Sequence, residues 1–159
     1  MAAIRPNQPP EALQRRIAAM NAAFPYALTA PDAHTLTLFD LPDRDDQHVA
    51  AAALACQAQT IVTHNVRDFP ASAVSGHGLT AVTPDSLFLS LFTREPERLV
   101  ALVEAASAAT RCPPLTTRDI LAALGKAGAI RFAAVATTYL ERRRVPAGST
   151  DAGEISLEI

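Results

Sequence analysis

The run from Leu41 to Pro70, LPDRDDQHVAAAALACQAQTIVTHNVRDFP, constrains this chain more than any other stretch. It opens with three acids in four residues, Asp43, Asp45 and Asp46. A small-residue helix follows, about Arg44 to Gln57, with AAAALA at its centre. Alanine is the best helix former, and its small side chain lets a helix lie close against a sheet. Ala58 to Thr63 is short, apolar and β-branched, the pattern of a strand buried on both faces. The run closes on His64, Asn65, Arg67 and Asp68. In an open α/β sheet, ligands gather at the carboxyl ends of the strands. A helix start and a strand end at that edge bring Asp46 towards Asn65 and Asp68. Carboxylates crowded together repel unless a proton or a hard cation joins them. The spacing therefore makes Asp46, Asn65 and Asp68 candidate ligands for Mg²⁺ or Mn²⁺, with Asp46 and Asp68 as candidate catalytic acids.

Each of these residues also has a plainer reading. Acids at a helix start are favoured by the helix dipole and by unpaired amides. Asp43 is placed as an N-cap, and Asp43 and Asp45 are capping candidates; three acids exceed what a cap requires, which leaves Asp46 over. His48 has no second histidine at ligand spacing and reads as an exposed or capping residue. Asn65 and Asp68 can instead stabilise a turn by bonding to its backbone. Arg67 is placed to pair with the neighbours of Asp68, ahead of a substrate phosphate. Phe69 reads as the loop's anchor in the core.

LPDRDDQHVAAAAL followed by IVTHNVRDFP resembles the second half of a PIN domain, as in VapC-type toxins. The family's third acid stands three residues before the first apolar residue of its helix, which maps onto Asp46 ahead of Val49. Its fourth acidic or amide position follows the Thr-x at a strand end, which maps onto Asn65, with Asp68 close by. The resemblance covers roughly Glu11 to Leu140. PIN domains open with a hydrophobic strand ending in Asp, then a helix that supplies a Glu. Here MAAIRPNQPPEALQRR resembles the middle of that pattern instead.

The resemblance implies an α/β fold: a PIN-like parallel sheet with flanking helices, N-terminally truncated, plus a helical C-terminal extension. It implies a Mg²⁺- or Mn²⁺-dependent endoribonuclease of a toxin–antitoxin system. Carboxylate-held metal activates water and stabilises the leaving oxygen of a phosphodiester. The implied partners are an RNA substrate, an antitoxin protein, and a complementary N-terminal half-domain or a homo-oligomer that covers the open sheet. The alternative is a catalytically inactive half-PIN protein, acting as an interaction partner or antitoxin decoy. A third reading is that the numbering omits part of a longer protein.

Composition narrows the classes. A chain of 159 residues is long enough for one substantial core. The net charge of −2 gives no global basic footprint, so RNA contacts would rest on local basic groups. No apolar run is long enough to span a bilayer and no signal-type apolar segment follows Arg5, so the expected location is cytoplasmic, with no membrane contact. Cys56 and Cys112 fit no metal spacing, and Cys56 reads as a small buried apolar residue.

Elsewhere, Met1 to Gln8 reads as a loose arm. After Pro9-Pro10, the residues Leu13, Ile17, Met20 and Phe24 share a helix face. Thr35 to Leu38 alternates, as an edge strand or an extended loop would. Leu79 to Thr83 is a second strand candidate, and the order of elements predicts parallel pairing through a crossover. Thr83 and Pro84 start a helix whose Leu87, Phe88, Leu91 and Phe92 should bury. Composition shifts at Arg94. That shift predicts a partial PIN-like domain over 1–93, a helical extension over 94–144 and a flexible tail over 145–159. Within the extension, Leu99, Leu102 and Val103 should face inward, and Thr116 or Thr117 should cap a helix. The last helix ends on Arg142, Arg143 and Arg144, a solvated basic end or an RNA phosphate contact. The ISLEI end of the tail alternates and is suited to adding to a sheet edge.

Overall fold

The computed structural model describes residues 10–25 and 27–144; the expected loose arm and tail lie outside them. The chain divides into two compact units between Thr83 and Pro84.

The first unit is mixed α/β. Helix α1 spans Pro10–Ala23 and the short α2 spans Ala33–Leu36. The alternating Thr35–Leu38 segment is thus helical at its start, neither strand nor extended loop. Asp32 captures Thr35 by accepting from its backbone N at 2.7 Å and its hydroxyl at 2.8 Å. Such a local side-chain bond competes with extended structure and here starts a helix. A single 3₁₀ turn over Arg44–Asp46 leads into α3, Gln47–Ala55. Strand β1 is Thr60–Val62, α4 is Ala71–Val74, and β2 is Thr80–Val82. The two strands pair in parallel, Thr60 opposite Thr80 and Val62 opposite Val82, as the crossover predicted.

The core of this unit gathers Phe39, Leu41, Ala50, Ala51, Ile61, Phe69, Val74 and Leu79. Ala50 and Ala51 are wholly buried, so the Ala run does seat α3 in the core. Phe69 is buried as expected of an anchor, and Phe39 lies against the His77 ring at 4.6 Å. Strand β1 is not buried on both faces: Ile61 faces the core, while Val62 is 45% exposed. The shared face of α1 is open too, with Leu13, Ile17, Met20 and Phe24 all between 48% and 66% exposed. Cys56 is exposed rather than buried, because it sits at the C-terminal cap of α3, where Gln57 turns the chain at φ 57°. Cys112 is exposed as well, and both thiols are free.

The second unit is all helical: α5 Pro84–Arg94, α6 Pro96–Ala109, α7 Thr117–Lys126 and α8 Ile130–Arg144. Helix α5 therefore groups with the helices after it, although composition shifts only at Arg94. Aromatic packing is the reason. Phe132 stacks on Phe88 at 5.0 Å and meets Phe92 edge-on at 6.0 Å, and Phe92 meets Tyr139 at 5.5 Å. Of the residues expected to bury on α5, Phe92 does so fully, while Leu91 stays 39% exposed. On α6 the inward pair is Val100 and Val103, and Leu102 is 60% exposed. Thr116 caps α7 in a reciprocal box with Asp119.

Asp85 ties α5 to the start of α8. Its carboxylate accepts from the Phe132 backbone N at 2.9 Å and from Arg131 Nε at 2.7 Å. Those bonds, the backbone one first, hold its pKa below the ordinary carboxylate value. A lowered folded-state pKa gives stability that is full above the unfolded value and lost as pH falls through the folded one. Asp85→Asn is therefore expected to lower the melting temperature by several degrees at neutral pH, and by progressively less in acid, as followed by circular dichroism. Phe132→Ala should cost about 3–5 kcal/mol in denaturant titration, the usual loss for an emptied aromatic core site.

Candidate metal centre

The acid cluster splits into two kinds of residue. The Asp43 side chain accepts from the Asp45 backbone N at 2.9 Å, so it caps the 3₁₀ turn as expected. Asp46 occupies the cap position of α3 but makes no side-chain capping bond, and its backbone is helical rather than extended. Its carboxylate is therefore not consumed by the helix start. Gln47 braces the same corner by donating from Nε2 to the Phe39 carbonyl at 2.9 Å. His48 Nδ1 lies against the Asp45 carbonyl, a capping role that fits its plainer reading.

Past β1 the chain turns sharply. The Asn65 backbone N donates to Thr63 Oγ1 at 3.1 Å, and a 3₁₀ turn follows over Val66–Asp68. Asn65 Nδ2 donates to Asp68 Oδ2, and Arg67 Nε donates to Asn65 Oδ1 at 3.0 Å. Asn65 thus braces the loop in both directions, and its oxygen keeps a second lone pair beyond the one Arg67 uses. Thr63 sets where Asn65 begins; sequence reasoning passed over it, although a Thr two residues before an Asn is a recognisable turn signal.

Electrostatics join the two corners. Burial raises the Asp46 pKa, and the charges of Asp43, Asp68 and Asp45 raise it further, against an opposing effect of His48. The field of Asp68 is thus felt at Asp46, across the helix start and the strand end. Two partly buried carboxylates and an amide oxygen form an all-oxygen donor set, which suits a hard divalent cation. Among the described residues, no three His, Cys, Asp or Glu side chains are grouped to hold a metal. Asp46, Asp68 and Asn65 would leave coordination positions for water, phosphate oxygens or a partner's side chain.

Residues 3–67 match the PIN domain family, a span that includes Asp46 and Asn65 and stops one short of Asp68. Over that span the chain is similar to the PIN-domain family. Residues 84–138 match the VapC50 C-terminal domain, and that match begins where the helical unit of this chain begins. The chain is similar to a protein of Mycobacterium tuberculosis (strain ATCC 25618 / H37Rv) named putative ribonuclease VapC50, 36% identical over 104 residues. That similarity covers 65% of this chain and 58% of the relative. No solved structure matches. Among the described residues, no helix is long and apolar enough to cross a membrane.

A raised carboxyl pKa means that ionisation is disfavoured in the folded state, so stability is lost as pH rises through the window above the ordinary value. Asp46→Asn removes that repulsion. In chelator at neutral pH this variant should melt above the parent, and the gap should close as pH falls below the raised value. Added Mn²⁺ should raise the melting temperature of the parent only, since binding to the folded state alone is what stabilises.

Proposed function

We propose that this chain is a PIN-domain, VapC-like, Mg²⁺-dependent endoribonuclease of a toxin–antitoxin pair, acting in the cytoplasm, with a site completed by a partner chain. The observation that carries the chemistry is the Asp46 carboxylate: free of any capping bond, with its pKa raised, and in the field of Asp68. A bound divalent ion would supply an activated water and charge for the leaving oxygen of the RNA phosphodiester. Asp46 and Asp68 would hold the ion, and Asn65 would join them. Arg67, whose Nε holds Asn65, keeps its terminal nitrogens for a substrate phosphate.

Support for a partner comes from the edge of the sheet. Among the described residues β1 pairs with β2 alone, so its outer edge carries unpaired backbone groups. A groove of about 400 Å³ runs beside that edge, lined among others by Leu28, Val49, Ala53, Ile61 and Val62. Leu28 is 82% exposed there. A two-stranded sheet is marginal by itself, and an added strand would extend the ladder and cover these side chains. The incoming chain would also reach the edge where Asp46 and Asp68 stand, with room to supply the ligands these two lack. The second reading is an inactive half-PIN chain that acts as an interaction partner or antitoxin decoy.

One experiment separates the two. The protein is purified with the products of its neighbouring reading frames, and Mg²⁺-dependent cleavage of RNA is measured. Cleavage is expected in the complex, with Asp46→Ala reducing it by on the order of 100-fold, as for loss of a metal-site residue. Val62→Lys should leave the fold intact and weaken the complex, read by light scattering. A complex that cleaves nothing would establish the inactive reading, and cleavage unaffected by Asp46→Ala would remove the site from the chemistry.

A further inference from the structure

Positive charge in this chain is concentrated in its helical unit. Residues 1–83 hold five Lys and Arg against seven Asp and Glu, while residues 84–144 hold nine against six, a net charge of +3. Among the described residues three of those nine are matched: Arg98 by Glu95, Arg118 by Glu141 and Arg131 by Asp85. The second pair uses the acid next to Arg142. Among the described residues, Arg142 and Arg143 at the end of α8 form no ion pair. The negative end of a helix favours cations there, but it does not account for the groove beside them.

That groove lies where α5 meets α8. It has a volume of about 360 Å³ and is lined by Phe92, Ala134, Val135, Thr138, Tyr139 and Arg142. Such a volume lies at the low end of the range for small-ligand sites. Tyr139 is half-buried, and its ring meets Phe92 edge-on at 5.5 Å, while Phe92 in turn meets Phe132. The ring is thus held by the core and still lines the groove. Val135, 44% exposed, adds apolar surface beside it. The Thr138 hydroxyl donates to the Ala134 carbonyl at 3.1 Å. The polar groups left to the groove are therefore the Tyr139 hydroxyl and the Arg142 guanidinium.

We propose that this groove seats one base of single-stranded RNA against Tyr139 and Val135, with an adjoining phosphate on Arg142. The choice of RNA rests on the ribonuclease reading, and the site adds a grip on the strand that the acids of the first unit do not provide. An unpaired base is apolar on its faces and carries hydrogen-bonding groups at its edge. The Tyr139 ring and Val135 suit the face, and the Tyr139 hydroxyl suits the edge. Arg142 follows Tyr139 by three residues, a rise of about 4.5 Å, so the two side chains are neighbours on one side of α8. A guanidinium fork matches a phosphate in charge and shape. Every base has a face to stack, so the site holds a strand without reading its sequence. A double helix keeps its base faces inside the stack and is refused.

Fluorescence tests this in the full chain. The sequence has no tryptophan, so Tyr139→Trp places a single reporter in the groove. In chelator, an oligoadenylate of about twelve nucleotides, a usual single-strand site size, should quench the indole. The same strand paired with oligouridylate should not. Arg142→Glu should weaken binding by at least about tenfold. Arg111→Glu, an equal charge change at an exposed residue off the groove, should weaken it by less than about twofold. Anisotropy of the labelled strand gives the same comparison with Tyr139 intact. Equal losses from the two arginine changes would overturn the proposal, as would quenching by inorganic polyphosphate as strong as by RNA, which marks an anion site with no base. Tighter binding of polyglutamate than of RNA would overturn it in favour of an acidic protein partner. Chelator removes the metal chemistry, so a chain that grips RNA in this way and never cleaves it retains this site and loses only the nuclease reading.

Discussion

A parallel pairing only three residues long, Thr60–Val62 against Thr80–Val82, organises the unit that carries the candidate site. Parallel strands cannot be joined by a hairpin, so the chain must leave β1 at one end of the sheet and return to begin β2 at the other. That geometry fixes the turn over 63–69 at the carboxyl edge. Helix α3 runs into β1 and therefore starts at that same edge, with Asp46 at its cap. The pairing is small, and it relies on what covers it. Ala50 and Ala51 allow α3 to lie close, while Phe39, Leu79 and Phe69 close the core around Ile61. The outer edge of β1 has no such cover among the described residues, and Val62 and Leu28 stay exposed beside it.

Two aspartates show opposite electrostatic outcomes in one chain. Asp85 meets a backbone amide and a guanidinium, its charge is matched, and its pKa falls. It is a finished structural contact. Asp46 is partly buried among Asp43, Asp45 and Asp68, with only His48 acting in its favour, and its pKa rises. Nothing in the local fold requires that arrangement, since Asp43 already caps the turn. An unmatched carboxylate beside others is tolerated when something else relieves it, and a divalent cation fits that requirement as a proton does. Asn65 and Arg67 moderate the far side: the guanidinium sits on the amide oxygen, and the amide donates to Asp68.

Local signals proved readable where one side chain decides the outcome. Asp43 caps, Thr116 caps with Asp119, Phe69 anchors, and the helix–strand–strand order produces a parallel pair. They misled where two patterns compete. Thr35–Leu38 alternates as a strand would, yet Asp32 bonds to Thr35 and starts a helix there. Leu102 is as apolar as Leu99 but lies on the outer side of α6, because Val100 and Val103 take the inward positions. Cys56 lies in an apolar run, but the helix ends beneath it and leaves it exposed.

The sequence by itself determined the element types, the caps and the acids that stand at a helix start and after a strand, because those depend on neighbours within a few residues. Only the tertiary structure decided that Asp46 is spared from capping, that Asp68 acts on it, and that α5 joins the helical unit through Phe132. It also decided which apolar faces stay open. Periodicity shows that a segment has an apolar side; whether another element lies against that side depends on residues far away in the chain, which no local pattern records.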